Sequence, residues 1–169
     1  MLFKDMKSGE DFVKDVAELY VSSWRNTYKG ILPDWYLDNM NVDKCIVRFN
    51  EYVKKKNQGI IIAMEGNRLL GFSAYMPCEK IEGSILLEML HVKREEQSKG
   101  VGKDLIYRTW DKVNKLGYKR MSISFMKKNT RAGNIYKHLG AEYVYDYTEK
   151  LDGVQFESEL LVWTKMRFK

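Results

Sequence analysis

The sequence QSKGVG at residues 97–102, between an apolar segment and an amphipathic one, does most to decide the fold of this chain. A strand that passes through glycines into a helix leaves backbone N–H groups unpaired, and the helix dipole strengthens their attraction for an anion. Gly100 and Gly102 lack the Cβ atoms that would hold a phosphate away, and both permit a positive φ. Lys99 and Lys103 add positive charge. The segment predicts a loop that binds pyrophosphate, which we call the cradle. Six residues of this type also occur in ordinary strand-to-helix turns, so the flanking sequence must distinguish the two interpretations.

Two common nucleotide-binding loops do not fit these residues. The dinucleotide fingerprint G-x-G-x-x-G needs a third glycine where Leu105 stands. The phosphate-binding loop G-x-x-x-x-G-K-[ST] needs a glycine in place of Gln97 and a hydroxyl in place of Asp104. The loop therefore belongs to neither type.

The flanking segments predict a strand before the loop, then a helix, a second strand and a short helix after it. Residues 85–92 are apolar apart from Glu88 and His91, as expected of a buried central strand. Residues 120–125 alternate between apolar side chains and serines, and Asn129 is placed to cap the short helix. A strand, a crossover helix and a strand require a parallel strand pair with a right-handed connection. The apolar stripe of the first helix, which Gly117 ends, is Val101, Leu105, Ile106, Trp110, Val113 and Leu116, and the inner face of the second is Ala132, Ile135, Tyr136 and Leu139.

The rest of the chain predicts helices before this unit and hairpins on both sides of it. Residues 60–64 and 69–76 form a hairpin around the turn at 65–67, and strands near 141–147 and 154–167 form another around Asp152 and Gly153. A short helical turn follows Pro33. Two further helices have apolar stripes, at Phe12, Val13, Val16, Ala17, Tyr20 and Trp24 and at Val42, Ile46, Phe49 and Val53. The pattern favours a mixed α/β sheet flanked by helices, in one domain spanning residues 1–169.

Composition narrows the class of protein. The 169 residues are 44% hydrophobic and 31% charged, as in ordinary soluble domains with a substantial core. No apolar run approaches the ~20 residues that a membrane span needs, and the charged start lacks the apolar segment of a signal peptide. Cys45 and Cys78, with only His91 and His138 besides, form no metal-ligand spacing and indicate reduced thiols. We expect a cytoplasmic protein without a metal site.

The net charge of +6 raises the question of a nucleic-acid partner. Lysines and arginines are scattered, however, with local clusters only at residues 54–56 and 127–128. The first cluster is typical of the solvated end of a helix. An excess of positive charge also suits an enzyme whose cofactor carries several phosphates, because it steers the anion toward the site. The pattern therefore disfavours nucleic acid as the main partner.

Residues 86–140 resemble the core of the GNAT superfamily of N-acetyltransferases in order and spacing. The matching motifs are the loop Q/R-x-x-G-x-G/A, read here as QSKGVG, and the segment N-x-x-A-x-x-x-Y, which starts at Asn129 and runs on to Leu139 and Gly140. The resemblance implies a mixed, mostly antiparallel twisted sheet with a central parallel strand pair, flanked by helices. It also implies acetyl-CoA as the acetyl donor, and direct attack by a primary amine of a small molecule or peptide in a ternary complex.

The same resemblance assigns residues to the donor. The pantetheine arm would bond the backbone of Leu90, His91 and Val92 and would also contact Asn129. The pyrophosphate would bind the loop, whose residues are Gln97, Lys99, Gly100, Val101, Gly102 and Lys103.

Two side chains are candidates for the proton transfers. Tyr136 occupies the position of the family's thiolate-protonating tyrosine, and a phenol stays protonated at neutral pH, although a tyrosine packed on the sheet would look the same. Glu88 is the preferred general base. Strand alternation places it on the face of Leu90 and Val92, and partial burial would raise its pKa toward a useful range. Pairing with an arginine or a backbone amide is the other interpretation of Glu88. His91 falls on the opposite face, where we expect a packed histidine rather than a base.

The acceptor is poorly specified. In the family its pocket is lined by the first helices and the last strands, where an aromatic wall could hold a cationic amine, with Asp34 or Asp38 as counter-charge. A helix-packing seam is the alternative. The aromatic candidates are Trp24, Tyr28, Trp35, Tyr36, Tyr147 and Trp163. A CoA-binding regulatory module without chemistry is the rival function, and the sequence leaves a homodimer open.

Overall fold

The computed structural model describes residues 1–167, which form seven strands and five α-helices. In chain order these are β1 (Leu2–Asp5), α1 (Phe12–Thr27), α2 (Asp34–Asp38), α3 (Val42–Tyr52), β2 (Gly59–Glu65), β3 (Arg68–Pro77), β4 (Ser84–Val92), α4 (Val101–Lys115), β5 (Arg120–Met126), α5 (Thr130–His138), β6 (Glu142–Leu151) and β7 (Val154–Trp163). None of the helices in residues 1–167 has the length and apolarity that a membrane crossing requires.

The strands make one mixed sheet in the order β1-β2-β3-β4-β5-β7-β6. Every neighbouring pair is antiparallel except β4 and β5, which confirms the mostly antiparallel sheet with a central parallel pair. The parallel pairing is short. It covers residues 84–86 of β4 and 120–122 of β5, whereas β5 stays paired with β7 as far as Met126. Beyond Leu86 and Ser122 the two strands therefore separate and open a notch in the sheet.

Helices cover both faces of the sheet. On one face, α1 and α3 pack on β2, β3 and β4, and Phe49 and Phe72 are fully buried there. On the other face, Leu105 and Ile106 of α4 pack against Ile85 and neighbouring strand residues. Strands β2 and β3 send alternate side chains into each core, which explains why they are apolar throughout instead of alternating with polar residues.

Four details differ from the sequence-based expectations. Strand β1 was not predicted, because four residues ending in a lysine and an aspartate carry no clear periodicity. Strand β7 ends at Trp163 rather than at residue 167. Ile135 was expected on the inner face of α5 but is 44% exposed, because Gly133 and Tyr136 form the face that turns inward. Leu116, at the end of the α4 stripe, is also exposed.

Candidate active site

The notch between β4 and β5 widens into a cleft of about 1110 Å³. Its walls are β4 and α1 on one side and β5 and α5 on the other. The loop before α4 closes one end, and the hairpin of β6 and β7 lines the other. The residues predicted for donor binding and for proton transfer therefore line one opening, apart from Lys99, which pairs with Glu96, and Val101, which is buried in the core.

The two loop glycines serve different purposes. Gly100 is the N-cap of α4 and has a φ of 89°, so a side chain there would be strained. Gly102 lies inside the first turn without a positive φ, and a Cβ there would make an ordinary 3.5 Å contact with Cγ2 of Val92. The fold thus requires glycine at position 100, while glycine at position 102 leaves space in the cleft beside Val92.

Hydrogen bonds hold the loop at the end of β4. The buried carboxylate of Glu96 lies between Arg68 (2.7 Å) and Lys99 (3.3 Å). Gln97 donates from Nε2 to the carbonyl oxygen of Val92 at 3.3 Å and accepts from Arg131 Nη1 at 3.2 Å. Gln97 therefore connects the loop to β4 and holds the guanidinium group of Arg131, on α5, beside the loop.

The loop fits an anionic diphosphate group. The first N–H groups of α4 have no intrahelical acceptor, and the N–H of Asp104 donates to the carbonyl of Gly100 at 3.0 Å. The cations that line the same part of the cleft are Arg94, Lys103 and Arg131. Sequence reasoning missed both arginines, because neither lies in the glycine motif. Open N–H groups and converging positive charge are what a diphosphate requires.

A bulge in β4 changes which way Glu88 points. Ala74 pairs with Met89 and Tyr75 pairs with Leu87, so Glu88 is an extra residue without a partner in β3. The expectation that Glu88 shares a face with Leu90 and Val92 is therefore wrong. Those two residues pack with the α4 core, while Glu88 turns toward α3, on the same side as His91.

Glu88 combines an ion pair with an oxygen left without a partner. Its Oε1 lies 3.3 Å from Nη2 of Arg48, whose other amino group is 3.4 Å from the Tyr20 hydroxyl. Its Oε2 is buried and accepts no hydrogen bond from residues 1–167, and the same is true of the nearby Tyr52 hydroxyl. Burial, and next the negative charge of Glu88, raise the pKa of Tyr52 well above its usual range. The predicted arginine partner of Glu88 is therefore present, and the second oxygen of the carboxylate is buried without a hydrogen bond from the described residues.

His91 has the contacts of a packed histidine. Its Nδ1 is hydrogen-bonded to Oγ of Ser23 at 2.8 Å, and its ring lies 5.3 Å from the ring centroids of both Tyr20 and Phe72. Burial lowers the pKa of His91 to about 4, so the ring is neutral at physiological pH. His91 joins α1 to β4 on the wall of the cleft.

Tyr136 extends from α5 into the cleft and is only 8% exposed. Its ring meets Phe125 and Trp163 edge-on, at 5.8 and 5.9 Å between centroids. Burial, followed by the nearby Tyr28, raises the pKa of Tyr136, so the phenol keeps its proton. Asn129 begins α5 by accepting a hydrogen bond from the N–H of Ala132 at 3.4 Å, and it also lines the cleft.

Four of the six aromatic candidates for the acceptor pocket line the cleft: Trp24, Tyr28, Tyr36 and Tyr147. The other two do not. Trp35 is 54% exposed, and Trp163 is fully buried, donating from Nε1 to the carbonyl of Leu139. Asp34 and Asp38 lie outside the lining, where the carboxylates are instead Glu79, Glu88 and Glu149. Sequence reasoning missed Glu149, although it stands two residues after Tyr147 and so shares its face of the strand.

Comparisons with known proteins agree with this geometry. A model of the acetyltransferase (GNAT) family matches residues 14–141. The uncharacterised N-acetyltransferase YuaI of Bacillus subtilis is 26% identical over 157 residues, which cover 89% of this chain and 87% of that protein.

Two solved structures illustrate the similarity of fold. The PaiA N-acetyltransferase of Thermoplasma acidophilum, solved with coenzyme A, has a TM-score of 0.73 at 21% identity and covers 94% of this chain and 98% of its own. YncA of Salmonella typhimurium, solved with acetyl-CoA, has a TM-score of 0.73 at 14% identity, with 100% and 98% covered. Since the family model spans more than half of the sequence, the chain belongs to the GNAT family of N-acetyltransferases, whose acetyl donor is acetyl-CoA.

Proposed function

We propose that this protein transfers the acetyl group of acetyl-CoA to a primary amine of a small molecule or peptide, by direct attack in a ternary complex. The observation that carries the proposal is the notch between β4 and β5. It opens beside a diphosphate-binding loop and has Glu88 on one wall and Tyr136 on the other. Such a cleft can admit donor and acceptor from opposite ends.

The donor would be held along one side of the notch. Lys99, Gly100, Val101, Gly102 and Lys103 would offer their N–H groups to the pyrophosphate, and Gln97 would keep the loop in place. The backbone of Leu90, His91 and Val92 lies past the point where β5 leaves β4, so it is open to an extended pantetheine arm, which Asn129 would also contact. Acetyl-CoA supplies an acetyl group activated as a thioester.

Glu88 and Tyr136 would make the proton transfers. The acceptor arrives as an ammonium ion, and the carboxylate of Glu88, whose side chain is 25% exposed, can take its proton, directly or through water, to free the lone pair. Arg48 holds the carboxylate in place. On the other wall, the raised pKa of Tyr136 keeps a proton ready for the sulfur that leaves when the carbon–sulfur bond breaks. The base and the acid thus act from opposite sides of one reacting centre.

Direct attack distinguishes this proposal from a route through an acetylated enzyme. Cys45 belongs to α3 and is buried in the core shared with α1, whereas Cys78, directly after β3, lines the cleft. A thiol in the cleft makes the distinction testable: we expect Cys78→Ser to keep its turnover, and mass spectrometry of wild-type protein with acetyl-CoA alone to reveal no acetylated cysteine.

The first experiment is a calorimetric titration of the protein with acetyl-CoA, with ATP and NAD as controls. We expect micromolar binding of acetyl-CoA alone, followed by release of free thiol when amines are added. Tyr136→Phe should lower turnover at least about tenfold while leaving the affinity for acetyl-CoA little changed. Absence of binding would overturn the donor assignment, and unchanged turnover in Tyr136→Phe would remove Tyr136 from the mechanism.

A further inference from the structure

We propose that the acceptor end of the cleft binds the second positive charge of an aliphatic diamine, and that Glu149 recognises this charge. This inference rests on the proposed function, because the first amine is the one that receives the acetyl group. It adds a substrate class and a specificity-determining residue.

Glu149 is a carboxylate that the protein holds in place without neutralising it. It lies on β6, lines the cleft and is half-buried. The hydroxyl of Ser158, itself completely buried on β7, donates to Oε2 of Glu149 at 2.7 Å. Within residues 1–167 no lysine, arginine or histidine nitrogen lies within 4 Å of Glu149. A preformed, partly desolvated anion of this kind is stabilised by a cation from a ligand.

The second carboxylate in this inference, Glu88, has a cationic partner in the described part of the protein, unlike Glu149. Glu88 already has Arg48 beside it, so its charge is compensated within the protein. The two carboxylates come from β4 and β6, on separate sides of the cleft. In the sheet, β5 and β7 lie between these two strands. A diamine with its reacting amine at Glu88 and its second ammonium at Glu149 interacts with both carboxylates.

The same cleft has an aromatic surface that suits an aliphatic chain carrying positive charge. We call Trp24, Tyr28, Tyr36 and Tyr147 the aromatic wall. Trp24 lies 4.7 Å from Tyr28 and 6.4 Å from Tyr36 between ring centroids, so these rings are continuous. Tyr147 already has the ammonium of Lys80 over its ring, 4.6 Å from the centroid. Aromatic faces attract cations and accept methylene groups without requiring hydrogen bonds.

The main competing acceptor is an amine that carries a carboxylate. Lys80 and Lys150 line the same end of the cleft, and neither has a carboxylate within 4 Å in the described part of the chain. Both lysines are exposed, however, and no buried group orients them. An exposed, flexible lysine pays the entropy of ordering when it binds, whereas Ser158 fixes Glu149 in advance. The structure therefore favours the diamine.

The test uses four acceptors that differ only in the group at the far end of the chain. These are 1,4-diaminobutane, 4-amino-1-butanol, butylamine and 4-aminobutanoate, followed by the longer homologues of each. We expect kcat/KM for the diamine to exceed that for the amino alcohol at least about tenfold at the preferred chain length. In Glu149→Gln, which keeps the bond to Ser158, the ratio of the two should fall toward one. Glu142→Gln removes the same charge from an exposed site on the same strand and should keep the wild-type ratio.

Calorimetric binding of the diamine to the protein saturated with coenzyme A separates this inference from the proposed function. If no amine is acetylated but the diamine binds and Glu149→Gln weakens that binding about tenfold, the subsite stands and the proposed function fails. If amines are acetylated with equal ratios in wild type and Glu149→Gln, or if the amino acid is the best substrate, the subsite is refuted. A second variant, Tyr36→Leu, should also lower the ratio, so the inference does not depend on one substitution.

Discussion

Replacing two helical glycines separates the glycine that the fold needs from the glycine that the ligand needs. Gly133 lies in α5, and a Cβ there would come within 2.6 Å of Cε2 and Cζ of Phe125. Carbon atoms normally make contact at about 3.5–4.0 Å, so the ring or the helix must move by about 1 Å. Gly102 lies in the first turn of α4, where the added Cβ would meet Val92 at 3.5 Å without a clash.

The expected free energies of unfolding follow from these contacts. Alanine is favoured over glycine in a helix by about 0.5–1 kcal/mol. At position 133, overpacking costs about 1–3 kcal/mol, so we expect Gly133→Ala to lose up to about 2 kcal/mol of stability. At position 102 nothing opposes the gain, and we expect Gly102→Ala to be more stable than wild type by a few tenths to about 1 kcal/mol. Urea unfolding followed by tryptophan fluorescence measures both, provided the slope stays constant.

The affinity for acetyl-CoA should depend on the other glycine: it should be sensitive to side-chain size at position 102 and little affected at position 133. The motif Q/R-x-x-G-x-G/A accepts alanine at position 102, so Gly102→Ala should keep near-normal affinity for acetyl-CoA, whereas the larger side chain of Gly102→Leu fills the cradle and should weaken binding at least about tenfold, or ~1.4 kcal/mol. Gly133→Ala leaves the cradle intact but displaces Phe125 and with it Tyr136, so we expect near-normal affinity and reduced turnover. The reasoning is refuted if Gly133→Ala is more stable than Gly102→Ala, or if Gly102→Leu binds acetyl-CoA as tightly as wild type.

Three further predictions concern the pH dependence of stability, the proton donor Tyr136, and the ion pair of Arg48 with Glu88. The pKa of His91 is about 4 in the folded protein against an ordinary 6.5, so the unfolded chain binds the proton more readily. Wild type should therefore lose up to about 3 kcal/mol relative to His91→Asn as pH falls from 6.5 to 4, measured by urea unfolding, and parallel curves would contradict this. Because the pKa of Tyr136 is raised, wild-type turnover should show no alkaline decline from loss of its proton up to about pH 10; a decline below pH 10 that Tyr136→Phe abolishes would show that burial does not raise this pKa. Arg48→Met removes the ion pair that orients the Glu88 carboxylate, so turnover should fall at least about tenfold with little change in the affinity for acetyl-CoA, whereas unchanged turnover would exclude Arg48 as the residue that positions the base.

The elements around the loop could be predicted because each has its own local signal. The stripe of α4, the cap at Asn129 and the alternation of β5 are properties of neighbouring residues, and the structure confirms all three. Strand β1 lacks such a signal. It depends on pairing with β2, where Leu2 lies opposite Met64, and that contact joins residues far apart in sequence.

The direction of Glu88 and the composition of the acceptor pocket depend on the same kind of long-range pairing. Alternation along β4 is correct for Leu90 and Val92, but the bulge is defined by the register with β3 and leaves no mark on β4 itself. Likewise, an aromatic residue on β7 looks like a pocket residue until the register is known. Trp163 pairs with Met121 and packs under Tyr136, so it belongs to the core.

The bulge and the notch together give the two faces of β4 different environments. Without the bulge, Glu88 would lie with Leu90 and Val92 on the α4 side, in an apolar core with no cation to compensate its charge. The extra residue turns it toward α3, where Arg48 reduces the cost of partial burial. Because β5 has already separated from β4 at this level, the backbone edge of β4 stays open beside the same carboxylate. One irregularity in one strand therefore places Glu88 beside Arg48 and leaves the adjoining backbone edge of β4 unpaired with β5.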